Sequence, residues 1–254
     1  MRDDYFSHDG LLLHFVDSGE GGRPPVVMIH GFASNIATNW INPGWFAAFE
    51  KVGMRSIAID NRGHGKSDKP HDDEAYHPEK MADDAVALLD HLNVEKAHIF
   101  GYSMGARISA FLALRHPSRV SSLVLGGLGI GMVNGVGDWD PIADALLAPS
   151  LDDVSHARGR MFREFADQTG SDRIALASCI RTSRTLVTRG EAASISAPTL
   201  IGVGTKDDVA GDAHELADLM PNARAFDIER RDHMLAVGDA SFKRAVVSFL
   251  DEIG

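Results

Sequence analysis

A serine set between glycines, Gly101-Tyr102-Ser103-Met104-Gly105, closes an apolar run at 97–100 and opens a small-residue helical run at 106–114. Strand, tight turn and helix with a serine at the apex is the context of a nucleophile elbow, where residues without Cβ let the neighbouring strand and helix close on a strained turn. In a chain with 25 glycines in 254 residues such a string arises by chance with a probability of roughly 0.2. The flanking pattern therefore carries more of the argument than the string does.

A serine hydroxyl is a poor nucleophile at neutral pH and needs a histidine to take its proton and a carboxylate to hold that histidine's tautomer. Both are present in the order Ser, Asp, His. The apolar run 199–203 leads into Gly204-Thr205-Lys206-Asp207-Asp208, and the run 223–228 leads into Arg230-Arg231-Asp232-His233-Met234. Asp207 and Asp208 both qualify as the acid, and the alternative position after the run 120–125 reads Gly126-Gly127-Leu128, with no carboxylate. Of twelve histidines, His233 alone sits at a strand-to-helix turn near the C-terminus. Attack on a carbonyl also creates a negative oxygen that needs fixed N–H donors. Met104, after the serine, is one; Phe32, in the His30-Gly31-Phe32-Ala33 turn after an early apolar run, is the second.

These turns need elements that hold them at one edge of a sheet. Asp9-Gly10 between two alternating runs predicts a hairpin, and apolar runs at 26–29, 56–59, 97–100, 120–125, 199–203 and 223–228 read as buried parallel strands. Helical patterns at 45–52, 78–92, 104–115, 212–220 and 239–253 lie between them, so the expected architecture is α/β: about eight strands, mostly parallel, twisted, with helices on both faces. The alternation lapses at 128–196, where apolar residues recur only at helical spacing. That interval is expected to be a helical cap inserted into a core made of residues 1–127 and 197–254. Between elbow and cap, Trp40, Met132, Trp139, Leu146, Met161, Phe162 and Leu235 are the candidate walls of a substrate pocket.

Composition removes several alternatives. A net charge of −11 without a Lys/Arg run argues against nucleic acid or an anionic membrane as partner. The single cysteine, Cys179, cannot form an internal disulfide, and no Cys or His spacing suits zinc, so no metal is expected. The Gly-His-Gly-Lys-Ser string at 63–67 lacks the four-residue spacer of a phosphate loop. His64 within it is expected to brace the 30–32 turn, and a cytoplasmic protein is expected.

Taken together, His-Gly-Phe at 30–32, Asp-Asn-Arg-Gly-His-Gly-x-Ser at 60–67, the elbow at 101–105, Gly-x-x-Asp at 204–207 and Asp-His-Met at 232–234 resemble the α/β-hydrolase superfamily over almost the whole chain. The resemblance favours Asp207 over Asp208 by its spacing from Gly204. It implies a cofactor-free serine hydrolase acting on a small-molecule carboxylic ester, with Ser103, Asp207 and His233 as triad and Phe32 and Met104 as oxyanion donors. Ser103 at the elbow differs from the aspartate of haloalkane dehalogenases and epoxide hydrolases. Cofactor-free perhydrolases, C–C hydrolases of meta-cleavage products, and ligand receptors that keep the fold resemble the chain as well.

Overall fold

In the computed structural model, which describes residues 1–21 and 23–254, strands β1 (Arg2–His8) and β2 (Leu11–Asp17) form the opening hairpin. Its two turn residues, Asp9 and Gly10, both take positive φ (51° and 73°), the backbone that matches the twist of a two-residue hairpin. The remaining strands are β3 (Val26–Ile29), β4 (Ser56–Ile59), β5 (Ala97–Tyr102), β6 (Val120–Gly126), β7 (Thr199–Gly204) and β8 (Ala223–Ile228). They lie in the order β1-β2-β4-β3-β5-β6-β7-β8, with β1, β2 and β4 antiparallel and every pair from β4 to β8 parallel.

Parallel neighbours require crossovers, which the chain makes with helices. The crossovers contain α1 (Trp45–Glu50), α2 (Pro78–His91) and α3 (Met104–Arg115), then α4 (Gly131–Asn134), α5 (Asp140–Leu147), α6 (Ala157–Thr169), α7 (Arg173–Thr182) and α8 (Arg189–Ser194), and finally α9 (Ala213–Ala217), while α10 (His233–Ala236) and α11 (Ala240–Ile253) follow the last strand. Successive strand side chains alternate between two cores. Val27, Ile29, Ile57, Ile99, Leu123 and Ile201 pack towards the α2 and α3 side, whereas Val26, Met28, Ala58, Phe100 and Val124 pack with Trp45, Phe49, Phe242 and Val246 of α1 and α11.

From β3 the chain crosses to β4 on one side and then to β5 on the other, which makes the carboxyl ends of β3 and β5 a topological switch point. Five helices and no strand occupy the interval between β6 and β7. They hold a small apolar core of their own around Ile142, Leu146, Leu176 and Ile180, into which Ala33 from the turn after β3 inserts.

Three details depart from the sequence expectation. β5 continues through Gly101 and Tyr102, because Gly101 still pairs with Ile29 and Leu125. The helix expected at 212–220 shrinks to Ala213–Ala217, as Leu219 and Met220 close three-residue turns onto Leu216 and Ala217. A single π-helical turn at Ala37–Ile41, absent from the expected pattern, swings Trp40 inward.

Candidate active site

The end of β5 presents Ser103 with φ 55° and ψ −114°, a conformation unfavourable for any residue with a side chain. The turn closes only because its flanks are glycine. A Cβ on Gly101 would stand 2.1 Å from the Gly105 carbonyl oxygen, and one on Gly105 would stand 1.9 Å from that of Ile29. Ser103 N–H donates to Gly126 O at 2.7 Å, fastening the elbow to β6.

His233 arrives from beyond β8. The Asp232 carboxylate accepts from Met234 N–H (3.1 Å) and Leu235 N–H (2.8 Å), capping α10 and fixing His233 in its first turn. From the elbow, the Tyr102 hydroxyl donates to the His233 carbonyl at 2.6 Å. The His233 ring then bridges two groups, with Nε2 2.9 Å from Ser103 Oγ and Nδ1 2.8 Å from Asp207 Oδ2.

Asp207 is held as firmly. Its side chain is fully buried, and Oδ1 accepts from Val209 N–H (2.9 Å) and Ala210 N–H (3.0 Å). Oδ2 is therefore the oxygen left for the imidazole. With Nδ1–H donating there, Nε2 is free to accept the serine proton. Asp208, the competing acid, points outward with a side chain 85% exposed and meets only Arg158, at 3.8 Å.

The turn after β3 lies against the elbow, since a Cβ on Gly31 would sit 3.3 Å from Ser103 Cβ. Asn39 secures it by accepting from Gly31 N–H at 3.2 Å. Among the described residues, neither Phe32 N–H nor Met104 N–H has a hydrogen-bond partner, so both remain available to an incoming oxygen. His30 is buried and kept neutral by that burial; its Nδ1 donates to Gly31 O (2.7 Å) while Nε2 accepts from Asn61 N–H (3.1 Å). His64 donates from Nδ1 to Arg62 O and packs edge-on to both His30 and Phe32. Burial drives its pKa down to about 3, and its position is that of a neutral brace.

Two spaces open beside Ser103. A cleft of about 610 Å³ is bordered by Ser103, His233, Trp139, Met161, Phe162 and Arg158. A much smaller inner cavity of about 40 Å³, as open to solvent as the cleft, is bordered by Ser103, Met104, Phe32, Trp139, Arg107 and Arg184, without His233.

Of the expected wall residues, Trp139, Met161 and Phe162 border the cleft. The other four do not. Trp40 is wholly buried against Trp45 and Phe100, because the π-helical turn inserts it into the core on the α1 and α11 side. Met132 belongs to the opposite core and Leu146 to the small core between α5 and α7. Leu235, on the outer side of α10, is 58% exposed. Tyr102, Asn39, Arg107 and Arg184 were not among the expected site residues. For Arg107 a signal existed: it is the lone charge in the apolar run 106–114.

Cys179 is buried, and burial raises its thiol to about 12, which leaves it protonated and unreactive. Among the described residues no group of three or more His, Cys, Asp or Glu is placed to hold a metal ion, and no helix is long and apolar enough to cross a membrane.

Residues 24–154 match the alpha/beta hydrolase fold family. A protein named as a non-heme bromoperoxidase from Mycobacterium tuberculosis is 30% identical over 252 residues, 88% of this chain and 91% of that one. Three other relatives match over 46–50% of this chain, which spans only 33%, 41% and 40% of their lengths. Among solved structures, a hydrolase from Pseudomonas aeruginosa PA01 superposes with a TM-score of 0.80 at 26% identity, covering 98% of both chains. A meta-cleavage product hydrolase from Pseudomonas fluorescens superposes with a TM-score of 0.77 at 27% identity, covering 96% of both.

Proposed function

Because the chain belongs to the α/β-hydrolase fold family, we propose that it is a serine hydrolase of carboxylic esters working through an acyl-enzyme. The observation that carries this reading is the unbroken line Ser103 Oγ, His233 Nε2, His233 Nδ1, Asp207 Oδ2, with steps of 2.9 and 2.8 Å between residues.

Ser103 Oγ attacks the ester carbonyl while its proton passes to His233 Nε2. The carbonyl oxygen, now negative, accepts hydrogen bonds from Phe32 and Met104 N–H. The Asp207 carboxylate stabilises the imidazolium, which returns its proton to the departing alcohol as the C–O bond breaks. Water, deprotonated by the same histidine, then opens the acyl-serine and restores the enzyme. Donors already in place need no reorganisation, and losing one of two slows such reactions about 100- to 1,000-fold. We also propose that the helices at 128–196 act as the cap that roofs the cleft.

The test is hydrolysis of p-nitrophenyl esters from acetate to decanoate by wild type and Ser103→Ala. Ester turnover by the wild type should fall by a factor of about 10⁴ or more in the variant. Equal turnover by both proteins would remove the mechanism.

A second reading, C–C bond cleavage on the same residues, is favoured by the likeness to the meta-cleavage product hydrolase. Folded wild type that ignores every ester but cleaves a dienoic ring-fission product would establish it instead.

A further inference from the structure

Among the described residues, Arg107 and Arg184 stand apart from the other sequestered arginines in having no carboxylate partner. Arg62 is held by both oxygens of Asp84 at 2.7 Å, Arg55 by those of Asp17, and Arg163 by Asp167. Arg107, only 4% exposed, donates instead to the carbonyls of Met132 and Thr185, each at 2.9 Å. Arg184, half-buried, lies 3.9 Å above the Trp139 ring, and its one hydrogen bond is a 3.5 Å contact to Val136 O.

Arg107 and Arg184 both line the inner cavity beside Ser103, and among the described residues no acidic one lines it. A guanidinium taken out of water without a counter-charge is unfavourable, and carbonyls or an aromatic face offset only part of the penalty. Burial, then repulsion from Arg107 and Arg158, lowers the Arg184 pKa to about 9, which still leaves it cationic at neutral pH. In a chain with 36 acidic and 25 basic residues, this pocket is a positive exception placed next to the nucleophile.

We propose that the inner cavity is an anion subsite in which Arg184, braced on Trp139, receives a carboxylate carried by the acyl half of the ester. The assignment rests on the ester-hydrolase reading above, and the side of the ester follows from the same geometry. The departing alcohol must take its proton from His233, which lines the large cleft and not the small cavity. The acyl group is thereby directed into the small cavity. A volume of about 40 Å³ holds about three water-sized groups, so the spacer is short. The substrate class is the half-ester of a short dicarboxylic acid.

The experiment compares p-nitrophenyl hemisuccinate with p-nitrophenyl butyrate, its uncharged counterpart of similar length, on wild type, Arg184→Gln and Arg184→Lys. Wild type should favour the hemisuccinate at least about 10-fold in kcat/KM, as one charge-assisted contact allows. Arg184→Gln should reduce that ratio about 10- to 100-fold, chiefly through KM, and Arg184→Lys should restore part of it. A variant that merely loosened the fold would slow both esters alike, so an unchanged ratio overturns the proposal, as does a wild-type preference for butyrate.

Binding separates this failure from failure of the ester reading. On Ser103→Ala, calorimetry with monomethyl succinate and methyl butyrate needs no turnover. Tighter binding of the anion, by about 10-fold and lost with Arg184→Gln, supports the subsite even if no ester is hydrolysed. Equal binding of the two esters refutes it.

Discussion

Asp207 divides its labour between two oxygens, one engaged by the backbone N–H groups of Val209 and Ala210 and the other by His233. That division makes the residue sensitive to a change of a single atom. In Asp207→Asn the amide can keep the backbone contacts, but its NH₂ then faces Nδ1 and favours the tautomer that cannot accept from Ser103. We expect kcat to drop by a factor of about 10⁴ with circular dichroism and melting temperature near those of wild type. A loss below about tenfold would show that the carboxylate does not orient the histidine. Asp208→Asn, altering a side chain that is 85% exposed, should leave turnover within about twofold of wild type in the same assay.

At the scale of elements, the elbow is an agreement between β3, β5 and α3 about how closely three backbones can approach. Gly105→Ala puts a methyl group 1.9 Å from Ile29 O, and no side-chain movement relieves a clash with main chain. We expect several kcal/mol of destabilisation, read as a melting temperature lowered by about 5 °C or more; an unchanged melt would mean that β3 and α3 are not packed this tightly.

The same motif logic placed Ser103 and His233 at their turns and marked all eight strands, because strained turns and buried strands each demand restricted residue types, whereas it left Asp207 and Asp208 to be separated by the family resemblance. The walls of the cleft were not legible in this way. Trp40, Met132 and Leu146 have the composition of pocket residues, yet the π-helical turn and the packing of α5 consign them to cores. Nothing in local spacing distinguishes an apolar side chain facing a cleft from one facing another helix. Arg184 was missed for a related reason: its place over Trp139 joins positions 45 residues apart in sequence.

For the molecule as a whole, buried histidines set how stability responds to pH. Burial lowers His64 to about 3 and His98 to about 4. Each therefore binds fewer protons folded than unfolded, and its contribution, complete above about pH 6.5, is lost as pH falls towards the folded value. His8 and His14 are raised: His8 by its hydrogen bond to Asp84, and His14 by Asp60 and Asp3, whose pull outweighs its burial. Their contribution is complete below about pH 6.5 and lost as pH rises through their folded values. Stability should accordingly peak near neutrality, and each lowered histidine should steepen the acid limb by up to about 1.4 kcal/mol per pH unit. Denaturant melts of wild type and His98→Gln between pH 4 and 8 check this. The stability gap between them should change below pH 6.5 and be flat above it, and a gap independent of pH would refute it.

The interval between β6 and β7 has a consequence of another kind. Those strands are parallel neighbours in the sheet, so the five helices between them form one crossover, leaving at the carboxyl end of β6 and re-entering at the amino end of β7. They bring Trp139, Ile180, Ser183 and Arg184 to the inner cavity, whereas Ser103, Asp207 and His233 all come from outside them. The lining of that cavity and the Ser103, His233 and Asp207 line are therefore separately heritable in this architecture. An ancestor could trade one interval for another and acquire new substrates without relearning its chemistry, provided the newcomer still offered two carbonyls to Arg107, which holds Met132 at one end of the interval and Thr185 near the other.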